Sequence, residues 1–254
     1  MRILGVMPSH RPTRSAGGRD RGPLAAAARF AMSVPGQILL NTAAFRLPEE
    51  LFIRPHWRVL DVRCRRAGLV RVLATRAKLE QAPVGLDASP ELLAAARHDI
   101  AIEGGPAVSL TRGVAHALPY ADESFDLIVA GHAFKYFADD ELRACLAEGR
   151  RALKEGGIFL AWEYAPSRSA PLDRWNRWVL TRNGPFVRLR SFQEMRALAL
   201  EAGYDMVRRA RLRPFLFPPI PRVSLLMVRA PEAWRRAAVE AGGAPDGETG
   251  SSLR

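Results

Sequence analysis

Two aspartates and a histidine each stand where an apolar run of this chain gives out. Asp61 follows "RVL", Asp87 ends "PVGLD" 26 residues later, and His132 comes directly after "FDLIVAG". A carboxylate at the carboxyl end of a buried strand is placed to accept hydrogen bonds from a ligand's hydroxyl or amino groups. The same acid can instead face the positive end of the next helix, or be satisfied by local N–H groups of a turn. His132 ordinarily titrates near neutrality, so it is a candidate general base for a hydroxyl or amine acceptor; the plain alternative is a hydrogen-bonded histidine at a strand end. Lys135 and Tyr136 follow it closely, while Glu163 and Tyr164 finish another apolar run, "GIFLAWEY". The turn after Asp61 reads "VRCRRAG", so Arg63, Arg65 and Arg66 share it. A cationic turn ahead of a helix N-terminus is also a fair phosphate site.

The elements that must position these residues are legible as apolar runs and helix punctuation. Strands are expected at 57–62, 83–87, 108–113, 125–131, 157–164 and 223–230, several of them continuously apolar, as parallel strands buried on both faces are. Helices lie between them. Ser89 is a ready N-cap with Pro90 at the first helical position, and Gly104 closes that helix. The stretch 138–157 starts in acids and ends in basic residues and glycines, and Ser191 with Glu194 form a capping box for 191–204. Strands alternating with helices predict a Rossmann-like, doubly wound α/β sheet, mostly parallel, of about seven strands with helices on both faces.

The chain has 254 residues, 48% hydrophobic and 25% charged, which suits one domain with a full core. Residues 25–230 are expected to form it, with a basic disordered tail at 1–24 and a helix or disordered tail at 231–254. The first segment, Arg-rich and almost free of acids, also admits a targeting peptide. Cys64 and Cys145 are the only cysteines, without ligand-like neighbours, so neither a disulfide scaffold nor a metal site is expected and a reducing cytoplasm is. No apolar run is long enough to span a bilayer. The net charge of +12 favours anionic partners, but the cations are scattered, so specific nucleic-acid binding is not expected.

Four segments in this order, "RVLDV", "VGLDASPELLAAAR", "ALPYADESFDLIVAGHAFKYF" and "RALKEGGIFLAWEY", resemble the class I S-adenosylmethionine (SAM)-dependent methyltransferases, particularly the small-molecule group, over roughly residues 50–230. The resemblance implies SAM as cofactor and no metal. It makes Asp87 the acid on the cofactor ribose and Asp61 a holder of the methionine amino group. It puts Arg63, Arg65, Ala88, Val114, Ala115 and Gly131 at cofactor-contacting positions. The chain departs from the family pattern at two places. Glycines usually stand where this chain has Arg63, Arg65 and Ala67, and a side chain penalises the left-handed backbone such a loop requires. An acid that binds the adenine amino group is replaced by Val114, which accepts no hydrogen bond.

On the acceptor side the resemblance makes His132 a candidate base, with Lys135, Tyr136 and Glu163 near it. It makes 171–190 a possible lid bearing Trp175 and Trp178, flanked by Arg174, Arg177 and Arg182. Packing on the core and an interfacial membrane helix are the other readings of that stretch. Phe215 and Phe217, among prolines, could form another wall. The leading expectation is methylation of a small molecule. A methyltransferase-like protein with lost or altered SAM binding is the alternative, and an RNA-directed methyltransferase the third. The acceptor, the atom methylated and the oligomeric state are not readable from the sequence.

Overall fold

A computed structural model describes residues 52–181, 186–210 and 221–240. The expected tail at 1–24, residues 241–254 of the one expected at 231–254, Arg182, Phe215 and Phe217 lie outside the described residues.

Strand β1 (Val59–Val62) is followed by helix α1 (Gly68–Ala77), β2 (Val84–Asp87), α2 (Pro90–Glu103), β3 (Ser109–Arg112) and β4 (Phe125–Gly131). A short 3-10 turn (Phe134–Tyr136) then leads to α3 (Asp139–Ala152), β5 (Leu153–Tyr164), α4 (Ala170–Thr181), α5 (Phe192–Glu201), β6 (Met206–Arg209), β7 (Arg222–Val228) and α6 (Glu232–Glu240). The seven strands lie in the order β3-β2-β1-β4-β5-β7-β6. β1 to β5 pair in parallel, and β7 runs antiparallel to both β5 and β6. The order reverses between β1 and β4, and in such sheets ligands bind beyond the carboxyl ends at that crevice. Asp61 sits there, in register with Gly85 of β2 and Val129 of β4.

The continuous apolar runs have the expected cause. Along β4, Phe125, Ile128 and Ala130 belong to the hydrophobic cluster on one face, Leu127 and Val129 to that on the other. Helix starts follow their punctuation. The Ser89 hydroxyl accepts from the Leu92 N–H at 3.1 Å, and Ser191 and Glu194 exchange the two bonds of their box at 3.2 and 2.7 Å.

Two expectations needed correction. The helix expected over 138–157 stops at Ala152, and β5 begins at Leu153 instead of Gly157. "KEGG" is extended and carries an irregularity in the β4–β5 register; Gly156 takes φ +75° there, a conformation glycine accepts without a Cβ clash. β6 was not anticipated: of its four residues only Val207 is buried, so this edge strand has no apolar run to announce it.

Gly149 of α3 passes so close to β5 that a Cβ there would lie 2.6 Å from the Phe159 ring. Gly149→Ala is therefore expected to destabilise the fold by about 1–3 kcal/mol through overpacking, read as a lower urea midpoint.

Candidate functional site

The β1–α1 turn keeps the backbone of a glycine loop without its glycines. Arg63, Arg65 and Ala67 take φ of +62°, +55° and +59°. For a residue with a Cβ this region costs about 1–2 kcal/mol each, so neighbouring contacts must hold the turn. The Cys64 N–H donates to Leu86 O at 2.9 Å, the Arg65 N–H to Asp87 Oδ2 at 2.9 Å, and the Ala67 N–H to Cys64 O at 2.8 Å. Gly68 then opens α1 behind the fully buried Ala67.

Two carboxylates flank this turn. Asp87 is buried, and its oxygens accept from the Arg65 N–H and, at 3.0 Å, from the Ser89 N–H. It thus ties the turn to the start of α2. Asp61 is also buried, but its Oδ2 has no hydrogen-bond partner. Burial, and then the nearby Asp87 charge, push its carboxyl well above the usual carboxylate range, against a smaller pull from the Val70 backbone. A buried carboxyl with a bare oxygen suits a cationic N–H donor.

Across the β1–β4 crevice, His132 directly follows β4 with φ +55°. Its ring stacks on Tyr164 (centroids 4.3 Å apart), and its Nδ1 lies 3.5 Å from Glu163 Oε1, too long for a well-formed hydrogen bond. Burial lowers the His132 pKa despite the opposing carboxylate, so the ring is neutral at pH 7.

Glu163 is the hub beneath that ring. It is almost fully buried; Oε2 accepts from the Lys135 N–H at 3.0 Å, while Oε1 accepts from the Tyr164 N–H at 2.8 Å and lies 3.3 Å from Lys135 Nζ. Burial alone would raise its pKa, but the His132 and Lys135 contacts outweigh it and hold the carboxyl below its usual value. Lys135 Nζ also donates to His132 O, so this lysine is inside the protein and does not line its surface. The 3-10 turn carrying Lys135 and Tyr136 is clamped by Arg190, whose buried guanidinium donates to Phe134 O, Phe137 O and the Asp139 carboxylate. Nothing in "RLRSF" signalled that clamp, whereas an acid ending the apolar run "FLAWE" did mark Glu163.

The remaining expected positions are less concentrated. Gly131 faces Trp162, whose indole would lie 3.1 Å from a Cβ. Ala88 is exposed at the end of β2, Val114 is 37% exposed after β3, and Ala115 is buried. On α4, Trp175 and Trp178 meet in a tilted contact (centroids 5.2 Å apart) and are about half exposed, while Asn176 and Leu180 form the buried face. Neither indole is packed into the core. Among the described residues no three His, Cys, Asp or Glu side chains gather as a metal site, and no helix is long and apolar enough to cross a membrane.

Residues 59–157 match the methyltransferase domain family. An uncharacterized methyltransferase, YcgJ, of Bacillus subtilis is 30% identical over 146 residues, covering 57% of this chain and 56% of that protein. A demethylmenaquinone methyltransferase of Thermus thermophilus is 35% identical over 130 residues, covering 51% of this chain and 57% of that one. The chain thus spans about half the length of the curated relatives it matches. The crystal structure of YcgJ superposes with a TM-score of 0.55 at 25% identity, over 68% of this chain and 69% of YcgJ. Over residues 59–157 the chain is thus similar to methyltransferase domains, and its seven-stranded sheet, whose antiparallel strand pairings among the described residues all involve β7, shares its fold with YcgJ.

Proposed function

We propose that this chain transfers a methyl group from SAM to a small-molecule acceptor. What carries the reading is the β1–α1 turn: three residues with side chains are held, at a cost in backbone strain, in the left-handed region that glycines occupy in such loops. The bare Oδ2 of Asp61 adds to it, since a protonated amino group is the partner it lacks.

SAM, when bound, supplies a methyl group on a sulfonium. Asp61 would hold the amino group of its methionine part, and Asp87 its ribose. The backbone of residues 63–67, with Ala88, Ala115 and Gly131, would form the adjoining walls, and Val114 would give the adenine an apolar contact in place of the usual acid. The tasks left to this chain are proximity, exclusion of water and a base. His132 is placed for the last: neutral at pH 7, fixed by Tyr164 stacking, with Glu163 beside Nδ1 to stabilise the imidazolium once it takes the acceptor's proton. Tyr136, and the exposed pair Trp175 and Trp178 of α4, would meet the acceptor.

A methyltransferase-like protein that no longer binds SAM is the competing reading, favoured by Arg63 and Arg65 at glycine positions of the turn. Calorimetry with SAM and S-adenosylhomocysteine decides between them. Both ligands are expected to bind, and Asp87→Ala to weaken each by about 1.5–3 kcal/mol, roughly tenfold to a hundredfold. Binding of neither by the folded wild type would overturn the proposal, and unchanged affinity in Asp87→Ala would misplace the site.

A further inference from the structure

Arg63 is a cation of the crevice whose side chain the proposed cofactor site leaves unexplained. Its side chain leaves the turn in a glycine conformation, is only partly exposed, and lays its guanidinium over the Tyr136 ring, 3.9 Å from the centroid. A guanidinium has five N–H donors, and among the described residues none of those of Arg63 meets a carboxylate. The two nearby acids are committed elsewhere. Asp87 accepts two backbone N–H groups, and Glu163 serves Lys135 and the backbone of Tyr164. The Tyr136 ring already has a second cation beside it, Lys135 Nζ at 4.3 Å, and that ammonium is also 5.3 Å from the Tyr164 ring on which His132 stacks. An aromatic face attracts a cation but gives its N–H groups no acceptor. A half-buried guanidinium that meets no carboxylate among the described residues and lies over an aromatic ring is a receptor for a planar oxyanion, which it can bind in bidentate fashion.

We infer that Arg63 recognises an anionic group on the methyl acceptor, so that the acceptor is a small aromatic molecule bearing a carboxylate or similar oxyanion. This rests on the methyltransferase reading and adds the substrate class to it. With the anion on Arg63 and the ring against Tyr136, the acceptor's nucleophilic hydroxyl or amine is directed toward the stacked pair Tyr164 and His132, whose imidazole takes its proton. The arginine is thereby a specificity residue, and its strained backbone keeps the cofactor loop's shape while its side chain serves the second substrate.

The cofactor's own carboxylate is the other anion that could reach Arg63, so the test is made with that carboxylate already in place. Protein saturated with S-adenosylhomocysteine is titrated, by NMR chemical-shift changes, with benzoate and with benzamide, which match in shape and differ in charge. Wild type is expected to bind benzoate at least tenfold more tightly than benzamide. In Arg63→Met, which keeps the side chain's apolar stem, that ratio is expected to fall to within twofold of unity, with affinity for S-adenosylhomocysteine unchanged within threefold. A wild type that shows no preference, including one that binds neither probe, overturns the inference. So does a preference that survives in Arg63→Met. If Arg63→Met instead loses S-adenosylhomocysteine, the cation belongs to the cofactor carboxylate and the acceptor assignment falls. Should wild type fail to bind S-adenosylhomocysteine at all, the cofactor reading has failed, and the same two titrations on the free protein still decide whether Arg63 selects an anion.

Discussion

Replacing Glu163 by alanine is expected to destabilise the protein by about 3–5 kcal/mol at pH 7, because it leaves the Lys135 ammonium and the N–H groups of Lys135 and Tyr164 in the interior without their acceptor. The loss is expected to depend on pH in a direction set by the lysine. Burial pulls the Lys135 pKa down from 10.5 to about 8, with Glu163 opposing. Between those two values the unfolded chain holds a proton that the folded protein has released, so stability rises with pH across that window. Without Glu163 the folded lysine gives up its proton at lower pH still. At about pH 9.5 the alanine variant thus no longer buries a charge, and its deficit against wild type should shrink. The double variant Glu163→Ala with Lys135→Met should recover much of the loss even at pH 7, since removing both charges leaves no orphaned charge. Glu163 itself acts at the acid end. Its folded pKa lies below the ordinary value, so its contribution is present above about pH 4.5 and is lost as pH falls through the folded value. Urea denaturation of the three variants and wild type at pH 7 and 9.5 checks this. A deficit in Glu163→Ala that is equal at both pH values would show that lost packing or the unpaired N–H groups, and not the stranded charge, are responsible.

Asp61→Asn is expected to move stability and cofactor affinity in opposite directions. Asp61 is buried with a bare oxygen, and its pKa is raised by burial and by Asp87, so its ionised form burdens the folded state. A group of this kind favours folding while protonated, and stability falls as pH rises from its unfolded toward its folded pKa. Asparagine has the same shape and never ionises, so the variant should be more stable at pH 7, by about 1–2 kcal/mol. If Asp61 holds the cofactor's cationic amino group, the same change should weaken S-adenosylhomocysteine by about 2–5 kcal/mol, the usual result of removing one partner from a buried charge pair. Methylthioadenosine, which has no amino acid part, should bind wild type and Asp61→Asn alike. Thermal melts and calorimetry on one preparation give both numbers. A stabilised variant with undiminished affinity would remove Asp61 from the site, and a destabilised one would mean that its carboxylate is structurally satisfied.

Local chemistry determined much of the frame. Ser89, Pro90 and Gly104 bound α2 because capping and φ preferences act within a few residues, and "FDLIVAG" became β4 residue for residue because a strand buried on both faces must be apolar throughout. The glycine pair of "KEGG" misled, since the same residues that end helices also accommodate irregular strands. Edge strand β6 was silent because an edge buries too little to leave a pattern. Asp61 and Asp87 were legible for a related reason: an acid that ends an apolar run marks a strand's carboxyl end.

What those acids do there depended on tertiary structure. Asp87 spends both oxygens on backbone N–H groups, one of them from a turn it meets only because β1 and β2 are neighbours. Glu163 and Lys135 pair because β4 lies beside β5, and Arg63 reaches Tyr136 because β1 lies beside β4. From its sequence, "RCRRAG" is a turn that has lost its glycines; folded, it retains their backbone shape. A residue's φ preference is worth only about 1–2 kcal/mol, and the combined contacts of a turn pinned to β2 exceed it. Preferences of that size are written along the chain, whereas the contacts that override them exist only once distant strands are side by side.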